Sequence, residues 1–358
     1  MLSLAINAWS IPVITAKLKV ITELSLNSCF SDNYCMSRII KRKVKGIEYF
    51  YLEESFKTKG KWVKESIYFG SKKPVNEELL KAFSELSKKC LKKGHEVLVL
   101  PLTEFVTQAQ ALKLKIAKEN KKHLLKSMTS KQKEEFVRRE RITFITESNA
   151  IEGSTLTYSA TEKIVGQEEH FKRLKRTEIV TGTNREEQEA INLNDCLTQY
   201  DVYLKKKAPI TTEMILHLHY ILLKRISGYE KYQGIYRPVQ VYITGSMHEF
   251  PLPQEVSGLM KKLLDWYDKN YSLIHPVELA AKFHTKFTTI HPFADGNGRM
   301  ARLLMNYIIQ SEEYPFTNIP LKKRSSYMKT QAEGNEQNHK PFTNFLTKEI
   351  ILQHAKNR

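Results

Sequence analysis

Apolar residues recur along most of this chain at spacings of three and four, the period of a helix with one buried face. Helices are predicted over residues 76–93, 103–128, 131–152, 185–206, 211–226, 253–270, 276–290 and 298–311. Ahead of them, residues 44–54 and 61–69 are rich in Tyr, Phe, Ile and Val. A Lys-rich turn containing Gly60 separates these two runs, which predicts a small β-hairpin or meander. Two breaks interrupt the helices. Residues 228–252 hold Gly and Pro around an alternating stretch, Val239 to Ile243, which predicts a short strand. With a turn near Gly245-Ser246, the span from Arg237 to Pro253 reads as a hairpin. The second break is a polar loop at 291–298 between two helices. The expected fold is mainly α, with a small β-containing module at the N-terminal end. Residues 1–35 show no period and read as an irregular extension, so Met36 is an alternative start. The remainder divides into a basic module over 36–130 and a helical region over 131–358.

Charge adds a second asymmetry. The 358 residues carry a formal net charge of +18, and residues 1–150 hold 29 Lys/Arg against 16 Asp/Glu. A basic N-terminal half is compatible with a nucleic-acid or acidic partner, and equally with a solvated Lys-rich surface. The four cysteines, Cys29, Cys35, Cys90 and Cys196, lack CxxC spacing, and no Cys/His cluster suggests zinc. Reduced thiols and a cytoplasmic location are the simplest expectation. No apolar run reaches the roughly 18–20 residues of a membrane span, so no membrane partner is expected.

The loop concentrates the chemistry. It reads His291-Pro292-Phe293-Ala294-Asp295-Gly296-Asn297-Gly298-Arg299-Met300-Ala301-Arg302. Ala280, Phe283, Phe287 and Ile290 before it, and Leu303, Leu304, Tyr307 and Ile308 after it, set two buried helix faces that hold its ends. Gly296-Asn297-Gly298 just before a helix suits a phosphate. Glycines let a ligand approach the backbone, and free N–H groups at the helix start favour an anion. Arg299 and Arg302 can clamp further phosphate oxygens. Asp295 offers one carboxylate, which with phosphate oxygens is a usual way to hold Mg²⁺. His291 offers a general base, kept neutral by adjacent positive charge. Singly, each residue has an ordinary structural reading. Together they suggest nucleophilic attack on a phosphoryl group of a nucleotide. Phe293 reads as a core anchor, and His217, His219, His275 and His284 read as packing, surface or helix-presenting residues.

The segment resembles the Fic family motif HxFx[DE]GNGRxxR at every fixed position, and the similarity runs over roughly 145–350. The resemblance implies a Fic-type helical domain that moves AMP from ATP to Ser, Thr or Tyr hydroxyls of a target protein. It implies His291 as the base, Asp295 as the Mg²⁺ ligand, and Gly296, Asn297, Gly298, Arg299 and Arg302 as the ATP-binding residues. It also implies a β-hairpin flap that adds the target as an extra strand, here with Val241, Tyr242 and Ile243.

Ser148-Asn149-Ala150-Ile151-Glu152-Gly153 is odd on local grounds. A Glu in the last turn of a helix opposes the dipole, and Gly153 is placed as a helix stop. Phe144, Ile145, Ser148 and Glu152 share one face, so Glu152 needs a cationic partner. The segment matches the family's inhibitory motif [ST]xxxE[GN]. The resemblance therefore implies an inhibitory helix over 131–153, carrying Ser148, Glu152 and Gly153, in which Glu152 restrains the site by pairing with Arg302. The same Glu supports AMP removal in some relatives, so a deAMPylase is an alternative. A nucleic-acid-binding regulator acting through the basic N-terminal region is another. The target protein and any homo-oligomer stay open.

Overall fold

The computed structural model describes residues 38–58, 61–74, 103–173, 184–242 and 248–355, together with scattered residues between 78 and 93. The expected extension, Cys29, Cys35 and Ile243 lie outside the described residues.

Three antiparallel strands open the described chain: β1 (Arg38–Val44), β2 (Ile47–Thr58) and β3 (Lys61–Gly70), in the order β1-β2-β3. The sequence predicted the second and third. β1, Arg-Ile-Ile-Lys-Arg-Lys-Val, was hidden by its charge, as a charged edge strand often is. Pairings such as Leu52↔Ile67 and Tyr51↔Tyr68 set the register. Leu52 and Phe56 face the helical residues Ala82, Leu86 and Cys90, four apart on one helix face, and these form a small core of their own.

Ten helices follow among the described residues: α1 (Gln108–Ser127), α2 (Ser130–Ile151), α3 (Tyr158–Arg173), α4 (Arg185–Lys205), α5 (Thr212–Leu223), α6 (Pro253–Asn270), α7 (Pro276–Ile290), α8 (Asn297–Ser311), α9 (Arg324–Asn335) and α10 (Lys340–His354). Their starts follow from local chemistry. Thr107 with Gln110, Thr129 with Gln132 and Asn184 with Glu187 close reciprocal capping boxes. Pro276 occupies the first turn of α7, where its missing N–H costs nothing.

α7 and α8 form the central pair, and α2, α4, α5, α6, α9 and α10 pack around them. Their core includes Phe283, Phe287, Leu304, Tyr307 and Ile308, with Ala111, Leu114 and Ala117 of α1 packed into it. Segment 104–106 is tied to α7 by one carboxylate: Glu278 accepts from the backbone N–H groups of Glu104 and Phe105. Lys282 neutralises that buried charge at 2.8 Å. No helix among the described residues is long and apolar enough to cross a membrane.

Of the strand expected over 239–243, the described residues 239–242 carry none. Side chains take the carbonyls that a ladder would need. The Arg237 guanidinium donates to the carbonyls of Val239 and Pro251, and the Gln240 amide donates to the Phe250 carbonyl. The two arms are thus held together without β pairing among the described residues.

Candidate active site

α7 ends in a left-handed turn at His291, φ 52°, whose N–H bonds the Phe287 carbonyl. The loop then descends into the core. Phe293 is fully buried and stacks on His219, ring centroids 3.6 Å apart. The His219 tautomer follows from its partners. Nδ1 accepts from the Gly234 N–H, so Nε2 carries the proton and donates to the Asp295 carbonyl. Burial holds His219 neutral, down at about 4. His219 is therefore a packing residue, as expected, and it also fixes the loop.

The Asn297 side chain is committed to the same loop. Its Oδ1 accepts from the Phe293 N–H at 2.9 Å, and its Nδ2 donates to the Phe293 carbonyl at 2.8 Å. Only the Asn297 backbone is left to meet a ligand. Gly296, φ 80°, starts α8, and no side chain caps that start. A Cβ at Gly296 would sit 2.9 Å from Leu222.

His291 rests against Phe250, centroids 4.5 Å apart. Burial first, then the charge of Arg237, pushes its imidazole down to about 4, against the opposing pull of a Thr288 backbone hydrogen bond, Glu152 and Asp295. The imidazole is thus held neutral as expected, but by burial and Arg237 rather than by the loop's own arginines.

Asp295 is one-quarter exposed at the rim. Its Oδ2 pairs with Arg185 at 2.9 Å, and its Oδ1 accepts from the Gly296 N–H at 2.6 Å. Arg299 is buried, 3.5 Å from both Glu189 and Asp295, and its Nε and Nη1 lack hydrogen-bond partners. A buried guanidinium with idle donors fits an anion arriving at the α8 N-terminus.

Arg302 is fully engaged. Its Nε donates to Ser148 Oγ and its Nη2 to the Ser148 carbonyl, both at 2.9 Å. Nη2 also donates to Glu152 Oε1 at 2.7 Å, and Nη1 to the Tyr327 hydroxyl at 3.4 Å. Glu152 follows α2 directly, and Gly153 takes φ 110° to end the helix. Burial raises the Glu152 carboxyl, but Arg302, Arg299 and Arg324 outweigh it and hold the group below its usual range. Gly298 makes the approach feasible, since a Cβ there would lie 2.2 Å from Glu152 Oε1. Outside contacts hold the end of α2 in place. Arg324 Nε donates to the Ile151 carbonyl at 2.8 Å, and Glu186 accepts from Ser154 Oγ and the Thr155 N–H.

The structure thus brings His291, Asp295, the glycine turn, both arginines, Ser148 and Glu152 into one locus. Val241 and Tyr242 lie apart from these bonds, Tyr242 being 86% exposed. Among the remaining histidines, His217 bonds the Tyr203 hydroxyl, His275 caps α7, and His284 meets the Tyr327 hydroxyl.

Sequence reasoning gave Arg237 no role. It is 1% exposed. Its backbone N–H bonds the Pro292 carbonyl, and its Nε bonds the His291 carbonyl at 2.8 Å. A lone Arg between breakers gave no periodic signal. Arg185 and Arg324 gave no signal for a different reason, since an Arg in the first turn of a helix is ordinary.

Residues 209–309 match the Fic/DOC family. Residues 209–309 are thus similar to a Fic domain. Over 201 residues it is 36% identical to the protein adenylyltransferase Fic of Drosophila willistoni, covering 56% of this chain and 38% of that protein. It is 34% identical to the namesake from Nematostella vectensis, covering 56% of this chain and 45% of that protein. The chain thus spans less than half the length of these relatives. Among solved structures, a Fic domain containing signaling protein from Bacteroides thetaiotaomicron superposes with a TM-score of 0.55 and 26% identity, over 67% of this chain and 94% of that one. Fic-1 from C. elegans superposes with a TM-score of 0.57 at 24% identity, over 78% of this chain and 76% of that one, a likeness of fold.

Proposed function

We propose that this Fic domain is a self-restrained protein AMP-transferase, taking AMP from ATP to a Ser, Thr or Tyr hydroxyl of a target protein. The relatives from D. willistoni and N. vectensis bear the name of that activity. The observation that carries the reading for this chain is the 2.7 Å pair between Glu152 and Arg302, in the same locus as the part-buried His291.

The chemistry follows from the residues. The uncapped start of α8 and the idle donors of Arg299 receive the α- and β-phosphates. His291 accepts the proton of the target hydroxyl. The hydroxyl oxygen bonds to the α-phosphorus, the bond to the bridging oxygen breaks, and pyrophosphate leaves with the electron pair. Arg302, freed from Glu152, takes the γ-phosphate and fixes ATP in line for attack. With Glu152 in place, that guanidinium is occupied and ATP binds out of line.

Asp295 is the residue that would hold Mg²⁺. No group of three or more metal-binding side chains exists among the described residues. One carboxylate at the rim suits an ion that keeps waters and phosphate oxygens as its other ligands. When bound, it would offset phosphate charge. Arg185 must yield part of its hold on Asp295 for this to occur.

AMP removal is the second reading. Glu152 is ionised, partly exposed, and engaged through Oε1, which leaves a carboxylate oxygen to orient a water. The cytoplasm remains the proposed location, and pairing of the target's backbone with Val241, Tyr242 and Ile243 the proposed mode of capture. ATP labelled at the α-phosphate or at the γ-phosphate separates the chemistries. With Glu152→Gly, α label enters protein and γ label does not. Incorporation of γ label would refute AMP transfer.

A further inference from the structure

The N-terminal sheet has one face covered and one bare. Leu52 and Phe56 of β2 turn toward the helical residues Ala82, Leu86 and Cys90. By the alternation of a strand, Tyr49, Tyr51, Glu53 and Ser55 turn the other way. Register places Ile40 and Arg42 of β1 on one side of them, and Trp62, Lys64, Ser66 and Tyr68 of β3 on the other. Positions 62, 64, 66 and 68 are all exposed, while 63, 65, 67 and 69 are part-buried.

This bare face carries rings and cations. Trp62 is 63% exposed and Tyr68 57%. Tyr68 lies 5.1 Å from Tyr51 and 6.0 Å from Tyr49, ring centre to ring centre, and Arg42 sits over Tyr51 at 4.8 Å. The one acid on the face, Glu53, is 2% exposed beneath Arg42 and Lys64, whose own side chains stay 48% and 65% exposed. Residues 38–73 hold 11 Lys/Arg against 4 Asp/Glu, so the surrounding field is strongly positive. Exposed rings beside cations, with the acid hidden, match a polyanion that also presents flat apolar faces.

We propose that this sheet face binds single-stranded nucleic acid, with Trp62 and Tyr68 stacking on bases and Lys64 and Arg42 meeting phosphates. A duplex keeps its base faces stacked on one another, so the rings would find no partner there. An acidic peptide would satisfy the cations and leave the rings wet. Stacking on aromatic side chains contributes about 1–3 kcal/mol per base, and phosphate contacts make such binding steeply salt-dependent.

The test uses the full chain and fluorescence anisotropy with a labelled oligothymidine. A labelled mixed-sequence duplex and unlabelled poly-L-glutamate serve as comparisons, over a salt series starting on the order of 50 mM. Oligothymidine is expected to bind more tightly than the duplex, with log affinity falling linearly against log salt. Trp62→Ala with Tyr68→Ala should weaken binding by about tenfold or more at an unchanged salt slope. Lys64→Gln should leave stacking intact and reduce the slope by about 0.7. Trp62→Phe, which keeps a ring and cannot disturb the covered face, should retain most of the affinity. The proposal is overturned if oligothymidine fails to bind at low salt, if the duplex binds equally well, if poly-L-glutamate displaces the oligonucleotide as readily as unlabelled oligonucleotide does, or if loss of both rings leaves affinity unchanged.

Discussion

Replacing Glu152 by Gly removes the partner of a buried cation, and the structure sets the scale of the effect. Arg302 is 2% exposed and Glu152 36%, with 2.7 Å between them. Breaking a fully buried pair costs about 3–5 kcal/mol, whereas an exposed pair contributes at most about 1. One buried and one half-open partner place this pair near 1–2 kcal/mol, because Ser148 and the Tyr327 hydroxyl still hold the guanidinium. Two readouts should share that number. Arg302 must leave Glu152 before it meets ATP, so the initial rate of AMP transfer should rise by about 5- to 30-fold. The folded state should lose about the same 1–2 kcal/mol, lowering the midpoint of thermal unfolding by several degrees. Initial rates with α-labelled ATP at saturating Mg²⁺, and differential scanning calorimetry on the same protein, supply both values. A variant that loses stability without gaining rate would refute the restraint: the pair would then be structural only.

Other perturbations probe the same locus from different sides. Gly298→Ala puts a methyl 2.2 Å from Glu152 Oε1, so it should destabilise the wild type by more than it destabilises Glu152→Gly. A double-mutant cycle by urea unfolding should show coupling of about 1 kcal/mol, and strict additivity would contradict the contact. Arg324→Ala removes the donor to the Ile151 carbonyl and a cation facing Glu152, and should raise transfer by about two- to fivefold, in keeping with about 0.5–1 kcal/mol for a charge at a helix C-terminus. Burial pushes His219, His275, His291 and His339 down to about 4, and His284 well below the usual range. The unfolded chain binds protons at these histidines from about pH 6.5 downward while the folded chain does not. Stability from this source is present above pH 6.5 and is lost as pH falls toward 4. The urea midpoint should therefore drop across that window, and a flat midpoint would contradict the burial of these imidazoles.

The loop at 291–302 was legible because its chemistry is local. Twelve consecutive residues, His291 to Arg302, carry an imidazole, a carboxylate, a glycine turn and two arginines. The helices on either side were legible from period alone. Glu152 was legible as a misfit, an acid where the helix dipole disfavours one. What escaped the sequence is what distance in the chain conceals. Arg237 lies 54 positions from the His291 carbonyl it holds, and Arg324 lies 173 positions from the Ile151 carbonyl it caps. The return of the Asn297 side chain to Phe293 also escaped, because a contact within the loop leaves no mark in the spacing of the residues. The strand expected over 239–243 is absent from its described residues 239–242 because alternation reports a half-buried segment, and side-chain hydrogen bonds from Arg237 and Gln240 satisfy its neighbourhood instead. Helix α9 was overlooked because only Tyr327 and Gly334 are buried along it, too few to set a period.

The central claim is that His291 serves AMP transfer once Glu152 lets go of Arg302. Intact and peptide mass spectrometry of Glu152→Gly, incubated with ATP and Mg²⁺ beside Glu152→Gly/His291→Ala, tests it most directly. The account predicts AMP on a Ser, Thr or Tyr hydroxyl in the single variant and none in the double. An adduct of equal yield in both, or a transferred group other than AMP, would contradict it.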